Sequence, residues 1–231
     1  MQPDPAYLRE RLADARVMLV FTPELARPRD PVAVLGEVLP YVDIVQVRPK
    51  AIAESNVTPA RAAHEWSIAA LDCAAASDAP PLVIVNDRVD VAAALFEAGL
   101  AGVHLGQDDT PAREARSLLG PDPLIGLSTH DVRQIARGGE EPVDYLGVGP
   151  IYATATKGYG KGLGAEFAWV ASQKTPLPLF AIGGIDLTNA GDLGFLGRVA
   201  VGSAILSADR PRDAARSLRE MLVEAEDRER G

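Results

Sequence analysis

Short apolar runs separated by longer amphipathic stretches recur along this chain at intervals of roughly twenty residues. The runs are Val17–Phe21, Ile44–Val47, Leu82–Val85, Gly102–Leu105, Leu124–Leu127, Tyr145–Val148, Leu179–Ile182 and Val199–Val201. Most are continuously apolar instead of alternating, the pattern expected of strands covered on both faces. Between them, the spacing of Ala, Leu, Arg and Glu predicts helices over Pro59–Ala76, Val89–Ala98, Pro111–Leu119, Val132–Arg137 and Asp213–Glu226. Pro59 and Pro111 suit helix starts, because the first turn's N–H groups lack helical partners in any case.

Strands alternating with helices predict the α/β class, with a parallel sheet and helical crossovers. Eight such units close naturally into a single (β/α)8 TIM barrel, and a length of 231 residues is close to the ~250 typical of that fold. An open doubly wound sheet is the competing arrangement. The expected organisation is one domain over 1–231, with its core over about 17–206 and a C-terminal helix over about 210–228 that frays at its end. The polar N-terminal segment reads as a docking helix.

Charge narrows the range of partners. The net charge is −9, which argues against nucleic acid or an anionic membrane and requires any phosphorylated ligand to find a locally basic site. Only four of the 23 cationic residues are lysines, and Lys50, Lys157 and Lys161 fall just after apolar runs. Cys73 is the single cysteine, so neither an intrachain disulfide nor a cysteine metal cage is available. The first residues carry no apolar signal region, and no run approaches the ~20 apolar residues of a membrane span, so a cytoplasmic protein is expected. The sequence is compatible with a homo-oligomer and does not define one.

In a barrel, chemistry gathers at the C-terminal ends of the strands, and those positions can be read directly. Nearly every run is followed by a polar or glycine cluster. Gln46, Arg48 and Lys50 alternate along an extended segment and so share a face, which suits a diphosphate; a solvated charged loop is the alternative reading. Asp87 and Asp109 follow neighbouring strands, and with a bound phosphate they suggest Mg2+. Each aspartate could instead cap the helix after it. Ser128 could cap a helix or donate to a phosphate. His104 lies inside an apolar run and reads as a satisfied core or rim group, with catalysis the less favoured reading. His130 could simply begin a helix, and His64 reads as a surface residue. Gly183-Gly184 and Gly202-Ser203 follow the last two strands, where barrels commonly cradle phosphate. The stretch from Asp144 to Lys157 ends a buried strand in glycines, two threonines and an ammonium, a set that again suits phosphate.

These pieces, in this order, resemble thiamine-phosphate synthase: Gln46 to Lys50, Asn86 to Arg88, Gly102 to Asp109, Gly126 to His130, Gly147 to Lys157 and Ala181 to Ile185. The resemblance spans about residues 17–206. It implies a TIM-barrel transferase that joins 4-amino-2-methyl-5-hydroxymethylpyrimidine diphosphate to a thiazole phosphate, giving thiamine phosphate and pyrophosphate. By position it implies that Gln46, Arg48, Lys50 and Asn86 hold the pyrimidine diphosphate, that Ser128 and Lys157 contact the diphosphate or the pyrimidine, and that Asp87 and Asp109 bind Mg2+. Thr154, Thr156, Gly184, Gly202 and Ser203 would hold the thiazole phosphate. Arg48, Lys50, Lys157 and Ser128 form the implied catalytic set. The chain departs from the family pattern at Pro49, Ala153, Ala155 and Gly202, and none of these removes an implied ligand. The alternatives are an isomerase like the related thiazole tautomerase, a Schiff-base aldolase using Lys157, and a non-catalytic thiamine-precursor binding protein.

Overall fold

The computed structural model describes residues 4–50, 57–153 and 162–230, with side chains as far as Ala225. Eight parallel strands close into a barrel in chain order: β1 (Val17–Phe21), β2 (Ile44–Val47), β3 (Leu82–Asn86), β4 (Gly102–Leu105), β5 (Leu124–Thr129), β6 (Tyr145–Val148), β7 (Leu179–Ile182) and β8 (Val199–Val201). The β8 strand pairs with β1, so the sheet has no free edge. Around it stand α1 (Pro5–Asp14), α2 (Pro31–Val38), α3 (Pro59–Ala75), α4 (Val89–Leu95), α5 (Ala112–Leu119), α6 (Val132–Gly138), α7 (Ala165–Ser172), α8 (Ser203–Leu206) and α9 (Pro211–Arg230). The (β/α)8 expectation therefore holds. Helices α2, α7 and α8 join those predicted from spacing.

The continuous apolar strands have a simple cause. Successive side chains of β1 go to opposite sides. Val17, Leu19 and Phe21 pack in the outer layer between strands and helices, while Met18 and Val20 fill the barrel interior. Both layers exclude water, so neither position tolerates a polar residue without a partner. The interior also holds Ile44, Ile84, Tyr145, Phe180 and Ala200, and Leu8 and Leu12 of α1 pack against the same cluster. The N-terminal segment is thus the docking helix that its pattern predicts, capped by Asp4, whose carboxylate accepts from the Ala6 amide at 3.0 Å.

Two aspartates pin the N-terminal rim. Asp43 accepts from the Arg16 and Val17 amides at 2.9 and 3.0 Å and pairs with Arg219 at 2.8 Å. Asp144 accepts from the Ile125 amide at 2.8 Å and pairs with Arg116 at 2.7 Å and Arg9 at 3.1 Å. Each ties the start of one strand to the next and to an outer helix. The opposite rim is left for chemistry.

Candidate active site

A cavity of about 510 Å3 opens at the C-terminal ends of the strands. Arg48, Ser128, His130, Gly184, Gly202 and Ser203 are among the residues that line it. Five of these belong to the implied site, so the fold gathers residues separated by up to 155 positions (203 minus 48) around one space.

The β2 end is set by its strand ladder. The Arg48 amide donates to the Phe21 carbonyl at 2.8 Å, continuing the β1–β2 pairing, and leaves the guanidinium half-buried at the cavity wall. Lys50 is exposed, and its amide donates to a Glu24 carboxylate oxygen at 3.2 Å. Gln46 lies deeper. It is only 3% exposed, beside Val20 and Ile84 in the strand register, and its amide nitrogen is 3.5 Å from the Met18 sulfur. The alternation of Gln46, Arg48 and Lys50 is real, but Gln46 sits within the barrel, and only Arg48 of the three lines the cavity.

The acidic part of the rim lies at β3 and β4. Asp87 is exposed and has φ of 63°, the only positive φ outside glycine among the described residues. Aspartate tolerates the left-handed region better than most residues, yet such a conformation commonly marks a functional position. Its amide donates to the His104 carbonyl at 2.8 Å. Asp109 accepts from the Gly106 amide at 2.6 Å through one carboxylate oxygen, which fixes the carboxyl group in the loop after β4. Neither is a helix cap: Arg88 and Pro111 occupy the N-cap positions of α4 and α5, and Arg88 pairs with Asp90. Among the described residues, no three of His, Cys, Asp and Glu gather into a metal-holding group.

The β7 end is built on glycine. Gly183 and Gly184 have φ of 98° and 64°, and a Cβ at Gly184 would lie 2.5 Å from the Ala153 carbonyl oxygen. The loop is further held by Asn189, whose amide donates to the Gly184 carbonyl at 2.9 Å and whose side-chain oxygen accepts from the Asp186 amide at 3.0 Å. Asn189 was not legible as a site residue, because its partners are set by the tertiary turn. Thr22 is also unheralded: it is buried at the end of β1 and lines the cavity. Gly202 and Ser203 open α8 after β8.

His104 is 6% exposed and carries a hydrogen bond on each ring nitrogen. Its Nδ1 lies 2.9 Å from the Tyr145 hydroxyl, and its Nε2 lies 2.9 Å from the Ser128 hydroxyl. Burial drives the Tyr145 phenol well above its ordinary pKa, with the nearby Asp144 charge adding to the effect. Ser128 belongs to β5 and is not a cap; Asp131 caps α6 by accepting from the Gln134 amide at 2.8 Å. His130 lines the cavity with its Nδ1 2.5 Å from the Gly149 carbonyl oxygen. His64 is half-buried within α3 and remote from these contacts in sequence. Asn86 ends β3 beside His104 in register. Thr154, Thr156 and Lys157 lie outside the described residues.

The family described as thiamine monophosphate synthase matches residues 17–205. A thiamine-phosphate synthase from Mycobacterium sp. strain KMS is 44% identical over 189 residues, covering 79% of this chain and 81% of that one. A protein of the same name from Synechococcus sp. strain CC9311 is 46% identical over 144 residues, which is 62% of this chain and 40% of the longer relative. Among solved structures, a thiamine phosphate pyrophosphorylase from Pyrococcus furiosus aligns with a TM-score of 0.76 at 26% identity, over 94% of this chain and 98% of that one.

Proposed function

The chain belongs to the thiamine monophosphate synthase family, and from that premise we propose how its rim condenses a pyrimidine with a thiazole. The observation that carries the reading is the cavity bounded by the ends of β2 and β5 and by the loops after β7 and β8. One phosphorylated substrate has Arg48 and Ser128 beside it, and the other has the two glycine loops. The substrates are 4-amino-2-methyl-5-hydroxymethylpyrimidine diphosphate and a thiazole phosphate.

The reaction breaks the C–O bond between the pyrimidine's methylene carbon and its diphosphate. Both electrons leave on oxygen, and the electron-rich aminopyrimidine supports the cation that results. The thiazole nitrogen lone pair then closes the C–N bond, so the protein needs no nucleophile of its own. Its task is electrostatic: fixed positive charge where the diphosphate charge develops. Arg48 and Lys50 supply it, with Lys157 as the third cation of the proposed set. Gln46 and Asn86 complete the pyrimidine side. Gly184, Gly202 and Ser203, with Thr154 and Thr156, hold the thiazole phosphate through backbone and hydroxyl donors.

Asp87 and Asp109 would hold Mg2+, which when bound neutralises charge on the departing diphosphate. Asp87, held in a left-handed turn, and Asp109, braced by the Gly106 amide, present the hard oxygens that such an ion requires. The described helices include none long and apolar enough to cross a membrane, and a cytoplasmic biosynthetic role is part of this proposal.

Pyrophosphate release with both substrates, each omitted in turn, tests the reading. Release only when both are present is expected. Release from the diphosphate substrate alone, or none with both, would overturn it.

A further inference from the structure

Tyr145, His104 and Ser128 form a hydrogen-bonded line from the barrel interior to the cavity wall. They come from three adjacent strands, β6, β4 and β5, and both links are 2.9 Å. Tyr145 is 1% exposed and packs edge-on to Phe180 at 5.6 Å between ring centroids. Among the described residues its hydroxyl meets no other hydrogen-bonding group than His104 Nδ1.

That isolation fixes the protons. If Nδ1 carried the hydrogen, the phenol would accept it, and the phenol's own O–H would be buried without an acceptor. Such a loss costs about 1–3 kcal/mol. With the tyrosine donating to a bare Nδ1, every buried group is satisfied. A neutral imidazole then carries its hydrogen on Nε2, and that hydrogen goes to the Ser128 oxygen. Ser128 is left with one unspent O–H, and the described residues offer it no acceptor. The side chain lines the cavity.

We propose that Tyr145 and His104 are positioning residues that hold Ser128 as a hydrogen-bond donor toward the cavity. Its target is a lone pair on the pyrimidine diphosphate, either a ring nitrogen or a phosphate oxygen. The identity of that target rests on the function proposed above; the direction of the hydrogen bonds does not. A serine free to rotate could donate or accept. One that already accepts from an imidazole is biased to donate, and it favours a ligand with an acceptor at that point.

Two measurements test this. Nitrogen-detected NMR of the His104 ring in the unliganded protein should report the Nε2–H tautomer, and a mixture of tautomers in Tyr145→Phe. In pyrophosphate release, Tyr145→Phe should lower kcat/KM by about 3- to 10-fold, the size of one neutral hydrogen bond. The same change in a Ser128→Ala background should have no further effect, because the line would then end on nothing. His104→Gln, which keeps a donor near the Nε2 position, should retain more activity than His104→Ala. An Nδ1–H tautomer in the unaltered protein, or an equal loss from Tyr145→Phe with and without the Ser128 hydroxyl, would overturn the proposal. If the unaltered protein released no pyrophosphate, the functional reading would fail while the tautomer measurement still decided the line.

Discussion

Gly126 is the seat of the Tyr145 ring: a Cβ at position 126 would fall within the space that the phenol occupies. The two residues are paired across β5 and β6, both on the interior side. Gly126→Ala therefore forces either the ring or the strand to move. Overpacking of this kind costs about 1–3 kcal/mol, and the rigid ring favours the upper part of that range. Urea unfolding should show a lower midpoint with little change in slope. Activity should fall with it, because a displaced phenol no longer reaches His104.

Tyr145 also gives stability a pH dependence. Burial raises the phenol's pKa well above 10.0 in the folded protein, so the folded state keeps a proton that the unfolded chain releases. This contribution is complete below pH ~10 and declines as pH rises beyond it, by up to about 1.4 kcal/mol per pH unit. Tyr145→Phe removes the proton and with it this part of the alkaline decline. Unfolding free energies of the two proteins between pH 9 and 11, a window set around the ~10 of a free phenol, should differ by a constant amount below pH ~10, and above it the unaltered protein should lose stability more steeply than Tyr145→Phe.

Gly184 holds a φ of 64° against the Ala153 carbonyl. Gly184→Ala adds left-handed strain and a contact at 2.5 Å to backbone, so the loop must shift away from Ala153. If this loop holds the thiazole phosphate as proposed, a cost of about 1–3 kcal/mol placed on it corresponds to roughly a 5- to 150-fold rise in KM for that substrate. KM for the pyrimidine diphosphate should move much less. A parallel rise in both would point to general unfolding of the rim.

Much of this architecture was written in the apolar runs, because a barrel strand is buried on both faces and its composition says so. The runs stop short where polar residues stay in the ladder. Asn86 still pairs with His104, and Thr129 with Val148, so β3 and β5 extend beyond their apolar segments. The rim was legible because strand ends are fixed by the fold, which made Arg48, Ser128, Gly184, Gly202 and Ser203 identifiable by place. His104 was not, since its meaning depends on Ser128, 24 residues away, and Tyr145, 41 away. A lone histidine in an apolar run carries no trace of such partners. The capping alternative for Asp87 was equally reasonable in sequence, and only the structure, with Arg88 at the N-cap of α4, sets it aside.

Asp144 opens the segment that leads to the cavity, yet it acts at the other end of the barrel. Its carboxylate is 10% exposed and serves Arg116, Arg9 and the Ile125 amide together. Asp144→Ala leaves the half-buried Arg116 guanidinium and a strand amide without their anion. A loss of about 2–3 kcal/mol is expected, the range of hydrogen bonds to charged groups discounted for the exposed Arg9 contact. Thermal unfolding should register it, while kcat for pyrophosphate release stays close to that of the unaltered protein at temperatures where both are folded.

The metal assignment is best tested at Asp87, because the conformation there can be preserved while the charge is removed. Asparagine adopts the left-handed region as readily as aspartate, so Asp87→Asn keeps the turn, the amide bond to the His104 carbonyl and the side-chain volume. The negative charge of the side chain is lost. If Asp87 helps to hold Mg2+, the variant should need a higher Mg2+ concentration for half-maximal pyrophosphate release. Its rate at saturating substrate should fall by about 100-fold, a few kcal/mol of lost transition-state stabilisation. Arg48→Ala offers the contrast: on the proposed reading it removes a cation that faces the diphosphate and leaves both carboxylates in place, so it should raise KM for the pyrimidine diphosphate while leaving the Mg2+ midpoint where it was. A titration in which Asp87→Asn and the unaltered protein share one Mg2+ midpoint would exclude Asp87 as a ligand and return its left-handed backbone to a purely local role.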